Sequence, residues 1–212
     1  LAAMGAGEVS CARRPVVALI ATGDELEMPG TEVGEDQIYA SNLFAIQAMA
    51  ESEGAEVRVL PIARDSEESL TFVLGLASDA DLIVTIGGAS VGDHDLVGKV
   101  AGGMGLSRSF YKVAMRPGKP LMAGRLGGSV MLGLPGNPVS AIVCAELFLR
   151  PMLRAMQGLP DAAPRPLKAR LAHALPVNGP RAHYMRSRLS IPVDESGLPV
   201  ITPFSQQDSA LL

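Results

Sequence analysis

No apolar run in this chain is long enough to cross a bilayer, because every hydrophobic stretch is short and broken by glycine or charge. Clustered lysine and arginine are missing too. With 18 basic residues against 22 acidic ones the formal charge is −4, the wrong balance for a surface that displaces counterions from nucleic acid. Neither a membrane nor a nucleic acid is expected as partner; a small molecule is. Cysteine is scarce: Cys11 and Cys144 stand far apart at no metal-ligand spacing and read as free thiols, which fits a reducing, cytoplasmic compartment. The three histidines, His94, His173 and His183, share no ligand spacing, so none is assigned a catalytic role. Internal repeats and low-complexity segments are absent as well. Residues Leu1 to Val9 lack the charged and apolar regions of a secretory leader and do not start at methionine, so the sequence reads as a piece of a longer chain.

What is present is 212 residues, 48% of them hydrophobic, enough for one full core and a smaller second unit. Residues 1–14 form a connecting segment. From 15 to 158 the pattern alternates between strand and helix. Val16 to Ile20 is a continuous apolar strand ended by Thr22 and Gly23. Asn42 caps a helix with Leu43, Ile46, Met49 and Ala50 on one face and Gly54 as its stop. Val57, Val59, Leu60 and Ile62 form the next strand. Asp65 with Glu68 makes a capping box before the face Leu70, Val73, Leu74 and Ala77. Leu82 to Ile86 is the third apolar strand, followed by a short helix from His94 to about Ala101. Phe110 to Ala114, Leu121 to Ala123 and Val130 to Leu132 add strands, with a turn at Gly127 and Gly128. Asn137 caps a last helix that has Pro138 at its first position and kinks or ends near Pro151.

This order predicts an α/β fold, a three-layer α/β/α unit on a mostly parallel sheet, whose post-strand loops share one edge where ligands bind. Gly158 to Pro166 reads as a linker. Beyond it, within 165–212, Leu167 to Leu175, Tyr184 to Ile191 and Leu198 to Ile201 are short strands, too few for an independent barrel, so the β-rich second unit is incomplete.

Four motifs carry the chemistry. Thr85 to Asp95 is a strand running into a glycine loop with two carboxylates. Thr22 to Leu26 reads Thr-Gly-Asp-Glu-Leu after another strand. Arg116 to Pro120 is a proline-stiffened basic turn. Gly133 to Ser140 leads into a helix N-terminus. Carboxylates at Asp24, Glu25, Asp93 and Asp95 alone would repel an anion, but Mg²⁺ held between them reverses this, and Lys119 with Arg116 takes the remaining charge. The set implies a metal-bridged, highly anionic ligand. Each motif alone has a bland reading: an exposed Gly-Asp turn, a solvated basic loop, an ordinary Asn137 cap.

Together, in this order and spacing, the motifs closely resemble the molybdopterin molybdenumtransferases, the MoeA family that includes the E domain of gephyrin. The resemblance runs over nearly the whole chain. It implies that 15–158 is a molybdopterin-binding domain and that the tail belongs to a small β-rich C-terminal domain. It also implies Mg²⁺-dependent insertion of molybdate into adenylylated molybdopterin with release of AMP. On that model Glu25, Asp95 and Lys119 are catalytic, and Glu25, Asp93 and Asp95 serve the metal. The Gly87 to Gly92 loop, with Gly87, Gly88, Ser90 and Gly92, holds pterin phosphate, and Thr22, Gly23, Asp24, Pro120, Pro135, Gly136 and Asn137 also bind substrate. Arg116, Lys119 and Ser140 attract molybdate, with Arg186 and Ser209 completing that pocket from the tail. Ala89 stands where Val is commoner, and Arg116 where Lys is also found. The resemblance further implies a homodimer in the full-length protein, built by an N-terminal region that this sequence does not contain. Two other readings stay open: a pterin-binding module or scaffold without turnover, and a molybdopterin adenylyltransferase, which Ser90 disfavours.

Overall fold

The structure is a computed structural model, and it describes residues 1–88, 95–160, 162–163, 165–190 and 197–210. After a short helical turn at Ala2–Met4, the elements in chain order are β1 (Val16–Ala21), β2 (Leu26–Glu27), β3 (Ile38–Tyr39), α1 (Ser41–Ser52), β4 (Glu56–Val59) and α2 (Glu67–Leu76). Then come β5 (Leu82–Ile86), α3 (Leu96–Gly103), β6 (Ser107–Tyr111), β7 (Met115–Arg116), β8 (Met122–Leu126) and β9 (Ser129–Leu134). The chain continues through α4 (Pro138–Cys144), a π-helical stretch at Ala145–Leu149 and α5 (Arg150–Met156). It ends with β10 (Arg170–Leu171), β11 (Ala182–His183), β12 (Ser187–Ser190) and β13 (Val200–Pro203).

The main sheet runs β4-β1-β5-β9-β8-β6, with β4, β1, β5 and β9 parallel and β8 antiparallel to both β9 and β6. Its central strands are buried on both faces, which is why they read as unbroken apolar runs. Val17, Leu19, Leu82, Val84 and Leu132 pack into the cluster that holds Leu43, Ile46, Leu149 and Leu153 from α1 and the α4–α5 region. Their neighbours Ala18, Ile20, Ile83 and Met131 turn to the other face, against Leu70, Val73 and Val97 of α2 and α3. The result is the three-layer α/β/α unit. From β1 the chain crosses to β4 at one edge, and from β5 it leaves towards β6 at the other. The crevice at the carboxyl ends of β1 and β5 is thus the topological switch point of the sheet.

Several local expectations are corrected. The N-cap of α1 is Ala40, and Asn42 lies inside the first turn with its amide spent elsewhere. Helix α2 is capped by Ser66, whose hydroxyl accepts from Ser69 N–H at 3.2 Å, so the Asp65–Glu68 box does not form. Helix α3 is capped by the side chain of Asp95 and reaches Gly103, past Ala101. The last helix continues through Pro151. The π-helical turn at Ala145–Leu149 shifts the hydrogen-bond register immediately before the proline, whose missing N–H then falls in the first turn of α5. The strand expected over Leu167 to Leu175 shortens to β10.

The tail pairs β10, β13 and β12 into a small sheet with no buried residue among its described positions. It is tied to the α/β unit by β11, which pairs in parallel with β7 (Ala182 with Met115, His183 with Arg116). At the other end, Arg13 clasps the Asp81 carboxylate with bonds of 2.7 and 2.6 Å. Cys144 is buried, its thiol pushed up to about 12 by burial, whereas Cys11 is exposed; both are free.

Candidate functional site

The turn after β1 is built around glycine. Gly23 sits at φ 149°, and a Cβ there would fall 2.7 Å from Cδ of Glu25, because the Glu25 carboxylate folds back over its α-carbon. Gly23 N–H donates to Ala63 at 3.1 Å, and the Glu25 carbonyl accepts from Ile38 N–H at 2.8 Å. One nitrogen of Arg64, Nη1, donates to the carbonyls of Asp24 (3.0 Å) and Leu26 (2.9 Å), while Nη2 meets the Glu27 carboxylate at 2.8 Å. Asp24 does not line the crevice: its carboxylate accepts the Asp65 N–H at 2.9 Å and braces the turn. The Asp65 carboxyl is raised above the usual range by burial and by the charges of Asp24 and Glu25.

The turn after β5 carries Gly87 and Gly88, both at positive φ. A Cβ on Gly87 would lie 2.6 Å from the Thr22 carbonyl oxygen, and one on Gly88 would lie 2.6 Å from Thr22 Oγ1. Only glycine lets these turns stack. Thr22 is buried, and its hydroxyl has no hydrogen-bond partner among the described residues. Asp95 accepts Gly98 N–H at 2.8 Å and stands next to Tyr111, whose phenol is pushed up by burial, by the Asp95 charge and by a hydrogen bond with it. Ser90, Gly92 and Asp93, with His94, lie outside the described residues.

These groups open onto a cavity of about 880 Å³ lined by Thr22, Gly23, Glu25, Asp65, Gly87, Gly88 and Asp95, with Lys99 at its side in an ion pair with Glu67. A second cavity of about 780 Å³ adjoins it, sharing Gly136 and Asn137. There Arg116, Lys119, Pro120, Pro135, Ser140 and Ser209 come together, as the sequence predicts, and Arg181 joins them from the tail. His183, across from Arg116 in the β7–β11 pair, is held below the ordinary histidine range by burial and by the charges of Arg116 and Arg181. Arg186 is not on its wall; it stands behind, donating to the carbonyls of Gln206 (3.2 Å) and Asp208 (3.0 Å).

Sequence reasoning missed Arg64, Asp65, Lys99, Tyr111 and Arg181. Arg64 and Asp65 could have been found, since they follow a parallel strand and so belong to the ligand-binding edge.

The first cavity gathers carboxylates. Glu25, Asp65 and Asp95 face it, and Asp24 and Glu25 hold the Asp65 proton more tightly, a repulsion that a cation would relieve. No cluster of three or more candidate ligands close enough to cage a metal exists among the described residues. Magnesium suits such a set, because it keeps several waters and is held by one or two carboxylates together with ligand phosphates.

Comparison with known proteins identifies the family. Residues 18–155 match the family model described as a probable molybdopterin binding domain, and 168–212 match that of the MoeA C-terminal region (domain IV). A molybdopterin molybdenumtransferase 2 of Mycobacterium tuberculosis is 42% identical over 166 residues, which cover 76% of this chain and 41% of that protein. The molybdopterin molybdenumtransferase of a Nostoc species is 34% identical over 196 residues, 90% of this chain and 45% of that protein. Among solved structures, a MoeA molybdopterin biosynthesis protein from Pyrococcus horikoshii superposes with a TM-score of 0.74 at 30% identity, over 92% of this chain and 46% of that one. The chain thus spans less than half the length of these relatives. No described helix is long and apolar enough to cross a membrane.

Proposed function

The chain belongs to the MoeA family, in which it carries the molybdopterin-binding domain and the domain IV region, and we propose that it is the ligand-holding part of a molybdopterin molybdenumtransferase. The observation that carries this reading is the pair of adjoining cavities, one walled by carboxylates and glycine turns, the other by Arg116, Lys119 and Arg181, with Gly136 and Asn137 between them.

Adenylylated molybdopterin would lie in the first cavity, its phosphates over Gly87, Gly88 and the Thr22 hydroxyl. Glu25 and Asp95 would hold Mg²⁺ against those phosphates, with Asp65 beside them. The ion would supply charge neutralisation at the bond that releases AMP. Arg116, Lys119 and Arg181 would attract molybdate to the second cavity, and Ser140 and Ser209 would orient it by hydrogen bonds. The shared Gly136–Asn137 wall would place molybdate beside the pterin dithiolene, converting a three-component encounter into one of fixed geometry. Arg186 would act indirectly, by holding the segment that carries Ser209. A homodimeric full-length protein in the cytoplasm belongs to the same proposal and rests on the resemblance and on the free thiols.

Calorimetric titration with adenylylated molybdopterin, with and without Mg²⁺, followed by molybdate addition and assay of AMP, tests this. Mg²⁺-enhanced binding with molybdate-dependent AMP release is the expected result for a self-sufficient enzyme. Binding without release would favour a ligand-holding module. No binding would remove the site, and ATP-dependent adenylylation would point to an adenylyltransferase instead.

A further inference from the structure

We propose that Arg64 is the positioning residue for Glu25, acting from behind the cavity wall; this rests on the assignment of Glu25 to the Mg²⁺ and nucleotide site. Arg64 is not among the residues lining either cavity, yet it touches the Glu25-bearing turn at three points. Its Nη1 takes the carbonyls on both sides of Glu25, those of Asp24 and Leu26, and its Nη2 takes the carboxylate of Glu27. The Glu25 carbonyl itself is held by Ile38 N–H. Every carbonyl from Asp24 to Leu26 therefore has a donor, and two of the three depend on one guanidinium.

Arg64 is anchored in turn. Its own N–H donates to Ser69 Oγ of α2 at 2.9 Å, and the N–H of Asp65 donates to the Asp24 carboxylate. Glu27 is fixed further by Gln37, whose amide donates to the same carboxylate oxygen, Oε1, at 3.0 Å. The fork thus joins the loops after β1 and β4, two neighbouring parallel strands. A turn this short cannot bury apolar surface to hold itself, so polar contacts must do it. The planar fork of arginine bridges three oxygens that a lysine ammonium, a point charge on a flexible stem, does not span in the same way.

The test uses this chain with Arg64→Ala, Arg64→Lys, Glu25→Gln and the Arg64→Ala/Glu25→Gln pair. The first readout needs no ligand: amide hydrogen exchange at Ile38, whose partner is the Glu25 carbonyl, should speed up in both Arg64 variants while β1 amides stay protected. Unchanged exchange at Ile38, or loss of protection throughout β1, would overturn a positioning role. The second readout is the Mg²⁺-dependent gain in affinity for adenylylated molybdopterin. Arg64→Ala should cut this gain by roughly tenfold or more, as loss of a residue orienting a metal ligand does, with Mg²⁺-free affinity unchanged. On the Glu25→Gln background it should have no further effect. Rescue by Arg64→Lys, or multiplying effects in the double variant, would reduce Arg64 to a charge or an unrelated support and sink the proposal. If Glu25→Gln itself leaves the gain intact, the assignment of Glu25 fails, and the proposal falls with it even where the exchange result stands.

Discussion

Asn137, at the start of α4, donates from its side-chain amide to the hydroxyl of Ser209, 72 positions further along, at 3.0 Å. The Ser209 carbonyl meanwhile accepts the Val139 N–H at 3.1 Å. One residue of the tail thereby uses a free N–H of the helix start and finishes the wall between the cavities. Ser209→Ala keeps the backbone bond and removes the hydroxyl. A hydrogen bond to a charged acceptor is worth about 1.5–3 kcal/mol, so molybdate should bind roughly tenfold to a hundredfold more weakly while nucleotide affinity is unchanged. Calorimetry with each ligand separates the two, and an equal loss for both would show that Ser209 acts on the wall as a whole.

His183 reports the field of the second cavity. Burial lowers its pKa first, and the charges of Arg116 and Arg181 lower it further. In Arg181→Ala the value should rise towards the ordinary one, and molybdate binding in the wild type should raise it too, because an anion offsets both guanidinium groups. Proton titration followed by NMR measures each shift. The sign for stability follows from linkage: the unfolded chain binds the proton at higher pH than the folded one. This contribution is therefore complete above the ordinary histidine pKa and is lost as pH falls through it, levelling off once the folded form is protonated.

How much of this was legible depended on how local each signal was. β1 and β5 were plain in the sequence because burial on both faces leaves them no charged residue to break the run, and the helical faces showed through their spacing. Cap positions slipped where several polar residues compete. Ser66 won over Asp65, whose side chain faces the cavity, and Asn42 was drawn out of any capping role by the Gly136 carbonyl, 2.6 Å away and 94 positions on. The site's motifs gathered as expected, since glycine turns and helix starts are encoded by neighbours in the chain. Arg181 carried no such signature. It reaches the second cavity next to β11, and the two-residue pairing of β11 with β7 is a tertiary event that no periodicity announces.

Asp65 trades stability for charge. Its carboxyl is raised by burial and by Asp24 and Glu25, so ionising it in the folded chain costs more than in the unfolded one. Asp65→Asn removes that cost. The variant should melt higher than wild type at neutral pH, and the difference should shrink as pH drops below the raised value, where the wild-type group is protonated as well. Its Mg²⁺-dependent nucleotide affinity should fall at the same time. Thermal melts across pH, paired with the Mg²⁺ titration, check both; a variant less stable at neutral pH would mean that Asp65 is satisfied within the fold rather than held for a cation.

Thr22 offers the sharpest separation of fold from function. It is buried beneath the Gly87–Gly88 turn, and its hydroxyl has no partner among the described residues. A hydroxyl kept in such a place without a bond is a liability to the free protein, so Thr22→Val, which keeps the branched shape, should leave stability unchanged or raise it by up to about 1 kcal/mol. A phosphate laid across the turn would satisfy that hydroxyl. A hydrogen bond to a charged acceptor is worth about 1.5–3 kcal/mol, so the same substitution should weaken adenylylated molybdopterin binding by roughly tenfold to a hundredfold. Thermal melting without ligand and calorimetry with it give the two numbers. A destabilised Thr22→Val with undiminished affinity would show that the hydroxyl serves the protein rather than the ligand, and would move the phosphate off the Gly87–Gly88 turn.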